Sequence, residues 1–213
     1  MPDLATLVLF CAATVALLVV PGPAVIYIVT RSIHQGRAAG VASVLGIHVG
    51  TLCHIAAATL GLSALLASSA LAYGTVRYLG AAYLIYLGVR TLFARPAEER
   101  RTPSRPERLP RIFADGVVVN VLNPKTALFF FAFLPQFVDP ARGAVSLQIA
   151  ILGAVFVLLG LLSDGAYALL AARGGDWLKA NLGFARIQRL ISGSIYFTLG
   201  AAAALSGARS THK

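Results

Sequence analysis

Charge is scarce in this sequence: Asp, Glu, Lys and Arg make up 12% of its 213 residues, where a soluble domain carries about a quarter. Acidic residues are scarcer still, eight against 18 basic ones. With 58% of positions hydrophobic and a mean hydropathy of +0.79, the composition excludes an ordinary soluble globular domain. It describes a chain solvated mainly by lipid, and one membrane domain accounts for the whole length. Cysteine is nearly absent. Cys11 and Cys53 each sit in an apolar run, which excludes a disulfide framework and a paired-cysteine metal site and leaves small packing residues. The N-terminus lacks the basic start of a signal peptide, carrying Asp3 instead, and its apolar run continues to Val29. That reads as a retained first helix. No nucleophile pattern of the Gly-x-Ser-x-Gly kind occurs around Ser163 or Ser192, so a hydrolase is not indicated and no cofactor is implied. The net charge of +10 invites a nucleic-acid reading. The basic residues instead flank apolar runs, with no basic helical face, so no nucleic-acid partner is expected.

What is abundant is apolar length. A helix crossing the hydrocarbon core needs about 20 apolar residues, each adding about 1.5 Å to a core of about 30 Å. Six segments qualify: Leu4–Thr30, Gly40–Leu66, Val76–Phe93, Phe113–Val138, Ser146–Ala172 and Ile187–Ser206. The expected fold is all-α and polytopic, with six transmembrane helices. Residues 95–111, RPAEERRTPSRPERLPR, form the one long polar connection. Its prolines and mixed charge mark a linker between a first half, 1–94, and a second, 112–213.

Placing that linker in the cytoplasm puts both termini outside. Arg31, Arg37, Arg90, Arg95, Arg100, Arg101, Arg105, Arg108, Arg111, Arg173, Lys179, Arg186 and Arg189 then lie inside. Only Arg77, Arg142, Arg209 and Lys213 lie outside, with Lys125 within a span. Thirteen basic residues against four satisfies the positive-inside rule. The expected location is the bacterial inner membrane.

Two spans are interrupted. The first contains Pro21-Gly22-Pro23 and the fourth Asn123-Pro124-Lys125, each in the first long apolar segment of its half. Proline removes a backbone donor and clashes with the carbonyl one turn earlier, so both helices should kink or unwind. A weaker match supports a repeat: Arg77 precedes Gly88 in the third span at the same spacing as Arg189 precedes Gly200 in the sixth. Three helices per half make the halves antiparallel, the layout of two inverted repeats whose broken helices surround a site near mid-membrane. A packing kink without substrate contact is the plainer reading of either motif alone.

Ionisable groups inside spans are costly unless paired or hydrated. Lys125 follows the second break, and Asp164 sits in the fifth span. Lys125 is read as a carboxylate-binding or anion-steering group, and Asp164 as the holder of an amino group or the coupling proton. The alternatives are an ion pair between them that only sets helix register, or a Lys125 that snorkels to an interface. His48 and His54 are six residues apart in the second span, a turn of about 600° that points them to different faces. They are no chelating pair; each is expected to hydrogen-bond across helices or to relay a proton. Asn120 and Asn123 should also bond between helices, while Tyr83, Tyr86, Tyr167 and Tyr196 receive no role.

With these residues assembled, the chain resembles the LysE/RhtB family of bacterial amino-acid exporters. The likeness is carried by PGPAVIYIVTRSIHQGRAAGVASVLGIHVG and LGAAYLIYLGVRTL in the first half. In the second it is carried by VNVLNPKTALFFFAFLPQFVDP and the acidic fifth span. The resemblance implies export of amino acids or small derivatives driven by the proton-motive force. By motif it places Pro21, Gly22, Pro23, Asn123, Pro124 and Lys125 at the substrate, with Asp164 matching more loosely. It does not transfer a substrate, since members handle basic, aliphatic, hydroxylated and lactone-type compounds.

The expectation is a secondary exporter working by alternating access between two broken helices, with a small amino-acid-like substrate and a proton as partners. Asp164, His54 and His48 are the proton-coupling candidates. A metal-ion exporter of similar architecture and a passive channel are the alternatives, and no metal site is expected. A homodimer through a glycine face of Gly40, Gly46 and Gly50 is a further expectation.

Overall fold

The computed structural model describes residues 2–19, 21–68 and 106–180, together with Tyr86 and Val89. No strand occurs among them. The third and sixth apolar segments, most of the linker and the Arg77–Gly88 and Arg189–Gly200 correspondence lie outside the described residues.

Helix α1 spans Leu4–Val19. Asp3 caps it, its carboxylate accepting from the Thr6 amide at 2.8 Å, as a short polar side chain before an apolar run should. The helix ends where Pro21 and Pro23 remove two of the donors it needs. Helix α2 then starts with Pro23 in its first turn, where a missing N–H costs nothing, and runs Pro23–Ser68. It is not one rod. Gly36 sits at φ 78°, ψ −169°, left of the helical well and open mainly to glycine. On a straight helix Ser32 and Gly40 would be about 12 Å apart; here a Cβ built on Gly40 would run into Ser32 Oγ. The chain therefore folds back at Gly36. One arm continues the first apolar segment and the other forms the second, as the sequence divides them.

Helix α3, Leu109–Val121, ends at the second break. Asn123 caps the short α4, Pro124–Leu128, by accepting from the Lys125 amide. A π-helical turn follows over Phe129–Phe133, where the Leu134 amide reaches the Phe129 carbonyl five residues back. A tighter 3-10 turn closes Leu134–Phe137. The two parts bend by 48° at the break, as the fourth segment was expected to. Helix α5 covers Val145–Ala180. By length and composition alone Pro23–Gly61, turned at Gly36, and Val145–Gly174 are apolar enough to cross a membrane, and the bent pair is a broken span or a re-entrant loop.

The polarity of the surface is inverted relative to a soluble protein. Leu60, Leu122, Leu158, Leu162 and Leu170 are exposed, while His48, Asn120, Gln148 and Asp164 are buried. Such a surface suits hydrocarbon, not water. Helix α2 packs along both α3 and α5, and α1 along α5. Phe129 and Phe130 from the π turn stack on Phe156 of α5 at 4.7 and 5.0 Å, and Phe10 of α1 packs on Phe129. Where α2 meets α3, a Cβ on Gly46 would collide with the Phe113 carbonyl, and one on Gly50 would come 2.9 Å from Asn120 Cβ. Gly40 faces Ser32 and Ala168. These three glycines are therefore consumed in contacts within the chain, and the expected dimer face built from them is corrected: small residues let these backbones approach each other.

Candidate functional site

A helical carbonyl bonds the amide four residues on, so each proline leaves the carbonyl four positions earlier without its partner. For Pro21, Pro23 and Pro124 these are the carbonyls of Leu17, Val19 and Asn120. All three find a donor on another helix, and Asn120 O also keeps a local one, the Asn123 amide at 3.0 Å. The Lys125 ammonium donates to Leu17 O at 2.8 Å. The Tyr167 hydroxyl donates to Val19 O at 2.9 Å. His54 Nε2 lies 2.9 Å from Asn120 O; since a carbonyl only accepts, this nitrogen carries the proton. In hydrocarbon an unpaired backbone group costs several kcal/mol, which these donors avoid. The exchange is reciprocal: residues after the linker complete the first break, and a residue before it completes the second.

Asn120 is the hub of the second break. Its amide nitrogen donates to Ile47 O at 2.7 Å and Thr51 Oγ1 at 2.8 Å. Its side-chain oxygen accepts from Thr126 Oγ1 at 2.9 Å and Asn123 Nδ2 at 3.2 Å. A fully satisfied buried network of this kind fixes geometry. Asn120 and His54 bond between helices as expected, whereas Asn123 bonds locally, to Asn120 and to the Lys125 amide.

Lys125 crosses from one break to the other. A Cβ on Gly22 would lie 3.0 Å from Lys125 Cδ, so the bare backbone at Gly22 is the bed on which the lysine stem lies. The ammonium faces inward and does not snorkel. Asp164 is buried, and the partner the structure gives it is His48, Nε2 to Oδ2 3.2 Å. The sequence did not pair His48 with Asp164; Lys125 lines the same cavity and also lies within the field of the Asp164 carboxylate. Gly160, one helical turn before Asp164, makes the slot: a Cβ there would lie 2.5 Å from His48 Cε1. Among the described residues, both ring nitrogens of His48 are buried without a hydrogen bond, so its approach to Asp164 is a close ionic contact and not a directed hydrogen bond.

These residues share one cavity. Gly22, His48, Thr51, Asn120, Asn123, Lys125 and Asp164 line it, with Leu17, Val25, Ile47 and Phe156 as its apolar wall. Five of the nine residues singled out from sequence, Gly22, His48, Asn123, Lys125 and Asp164, line it. Pro21 and Pro23 act by the carbonyls they free, Pro124 likewise, and His54 stays outside, stacked on Phe130 at 6.3 Å. The cavity measures about 30 Å³, room for one or two waters, at roughly 10–15 Å³ each on this measure. As it stands among the described residues it is too small for an amino acid. Among the described residues no three His, Cys, Asp or Glu side chains converge, and the metal-exporter alternative finds no ligand set there.

Ion pairs close both ends. At one, Arg31 binds Glu107 with both contacts at 3.0 Å and stacks on Tyr27 at 5.3 Å. Arg111 pairs with Asp115 at 3.1 Å, and Gln35 accepts the Glu107 amide at 2.8 Å. At the other, Arg142 binds Asp3 and, at 3.1 Å, Asp139. Hydrogen bonds from Thr6 first, then the Arg142 guanidinium, hold the Asp3 carboxyl below the usual carboxylate range. Arg31 and Arg111 are linked through Asp115, separately from the Arg142 cluster.

Sequence reasoning missed Tyr167 and Gly160. The available signal was spacing: Gly160, Asp164 and Tyr167 fall at helical intervals of four and three and so share a face of α5.

The family model described as LysE type translocator matches residues 15–207. A homoserine/homoserine lactone efflux protein of Salmonella typhimurium is 33% identical over 181 residues, covering 85% of this chain and 87% of that protein. An uncharacterized membrane protein of Bacillus subtilis is 31% identical over 199 residues, 89% of this chain and 94% of its own. No solved structure matches. With two proline breaks completing each other beside one small shared cavity, and with this match along most of its length, the chain belongs to the LysE-type translocator family.

Proposed function

We propose that this translocator exports amino acids or small amino-acid derivatives, with homoserine-like compounds the first to test, by alternating access coupled to proton entry. The observation that carries the reading is the cavity at the two breaks, where an acid, a base and proline-freed carbonyls converge. An amino acid presents one ammonium and one carboxylate. Carbonyls at the end of α1, at the negative end of its dipole, together with Asp164 suit the ammonium, and Lys125 suits the carboxylate. The name of the Salmonella relative supports the substrate class.

Asp164 carries the coupling proton in this scheme, with His48 as its immediate exchange partner. Its protonation removes the charge that holds the two groups together, freeing α5 to move relative to α2. The two ion-pair clusters act as end gates, one of which must open for each face. The protein spans the bacterial inner membrane six times as two inverted three-helix halves, both termini outside. Support for that orientation is the gathering of Arg31, Glu107 and Arg111 at the linker end and of Asp3 and Arg142 at the other.

The test is reconstitution of the full chain in proteoliposomes carrying an imposed proton gradient, with labelled L-homoserine and homoserine lactone. Concentrative, uncoupler-sensitive movement is expected. Movement that only follows the substrate's own gradient, unaffected by uncoupler, refutes the coupling and leaves the passive channel. A comparison of all metabolites exported by cells with and without the protein then identifies the substrate.

A further inference from the structure

We propose that the Leu17 carbonyl, beside Asp164, is a seat for a primary ammonium, and that Lys125 occupies it as a tethered stand-in whenever the carrier is empty. The inference rests on the exporter reading for its role in the cycle, but the seat itself is a separate matter of chemistry. Pro21 deprives this carbonyl of its helical donor, and the group that fills the vacancy is already an alkylammonium, at 2.8 Å. The lysine stem lies over Gly22 with no Cβ to hold it in place, so it can leave without disturbing the backbone. The seat opens on the cavity that Asp164 also lines, which supplies the negative charge a second ammonium would need.

Two consequences follow. A substrate ammonium and the Lys125 ammonium exclude each other at Leu17, so substrate binding expels the lysine, whose charge then becomes available to the substrate carboxylate. After release the lysine returns, fills the space and satisfies the carbonyl, which closes the empty carrier and permits its return without substrate. Ligands must therefore carry a free primary ammonium; N-acylated derivatives have neither the charge nor the three donors.

The experiment uses the full-length protein in lipid nanodiscs, with n-propylammonium as probe and n-propanol and propionate as controls. Thermal unfolding is followed across a concentration series for the wild type, Lys125→Ala and Lys125→Met. Methionine keeps a long stem over Gly22 and serves if the alanine variant does not fold. Saturable stabilisation by propylammonium, at least tenfold tighter in apparent affinity in the variants than in the wild type and absent with the controls, is expected. Combining Pro21→Ala with either variant should abolish the effect, because residue 21 regains an N–H for Leu17. Equal responses in wild type and variants, or equal responses to propylammonium and propanol, overturn the proposal. If the variants bind the amine but the wild type moves no amino acid in proteoliposomes, the exporter reading fails and the seat stands. If export is found but the variants ignore the amine, the seat falls alone.

Discussion

The Tyr167 hydroxyl donates to the Val19 carbonyl at 2.9 Å, the very carbonyl that Pro23 strips of its helical donor. A side chain of α5 thus completes the backbone of α1. Tyr167→Phe leaves that acceptor unsatisfied and should cost about 1–3 kcal/mol, seen as a lower unfolding temperature in detergent. Adding Pro23→Ala, which restores an N–H at position 23, should recover part of the loss. Additive losses in the double variant would show that the hydroxyl serves something other than this carbonyl.

Gly160 is the second test. Its Cβ position lies 2.5 Å from His48 Cε1, so Gly160→Ala must push the imidazole out of its slot. Overpacking of this sort costs about 1–3 kcal/mol. The displaced ring should also lose its contact with Asp164, so the pH profile of transport should shift along with stability. A variant with reduced stability and an unchanged profile would detach His48 from proton handling.

For Asp164 the expected outcome of Asp164→Asn is loss of gradient-driven export at normal membrane abundance. Export is read in proteoliposomes and abundance by immunoblot of membranes. Proton-dependent export at the wild-type rate in that variant removes Asp164 from the coupling step.

The Asp3–Arg142 contact gives a pH prediction. The folded carboxyl titrates below its unfolded value of 3.8, so its contribution is complete above that value and is lost only as pH falls through the depressed folded pKa. The difference in unfolding temperature between wild type and Asp3→Asn should therefore be flat from about pH 5 to pH 8, the range above the unfolded titration, and shrink only under stronger acid. A difference that disappears near pH 5 would contradict the assignment.

Much of the site was legible because proline is unambiguous. Pro21, Pro23 and Pro124 announce which carbonyls lose their donors, and the sequence position of Lys125 and Asp164 announces buried charge. The second-span histidines were correctly separated, because six residues on a helix do not face one way. What could not be read was who answers each freed carbonyl. That depends on how helices are set against one another, and the choice of Tyr167 over other tyrosines, or the approach of His48 to Asp164, is made by packing around partners such as Gly160. Glycine misled for the same reason: Gly46 signals close approach, but not whether the approaching surface is α3 or another copy. The third and sixth spans rest on the sequence alone.

The crossed completion of the breaks bears on how the chain is made. When the segment up to residue 68 has left the ribosome, two of its main-chain oxygens still await groups that lie 57 and 99 residues further on, at Lys125 and Tyr167. Until those arrive, the early helices are best kept near water or the insertion machinery, since hydrocarbon offers nothing in exchange. Maturation in the bilayer is then a single late event governed by α5, and a chain truncated before residue 167 should be degraded as an orphan even though its own apolar segments are intact.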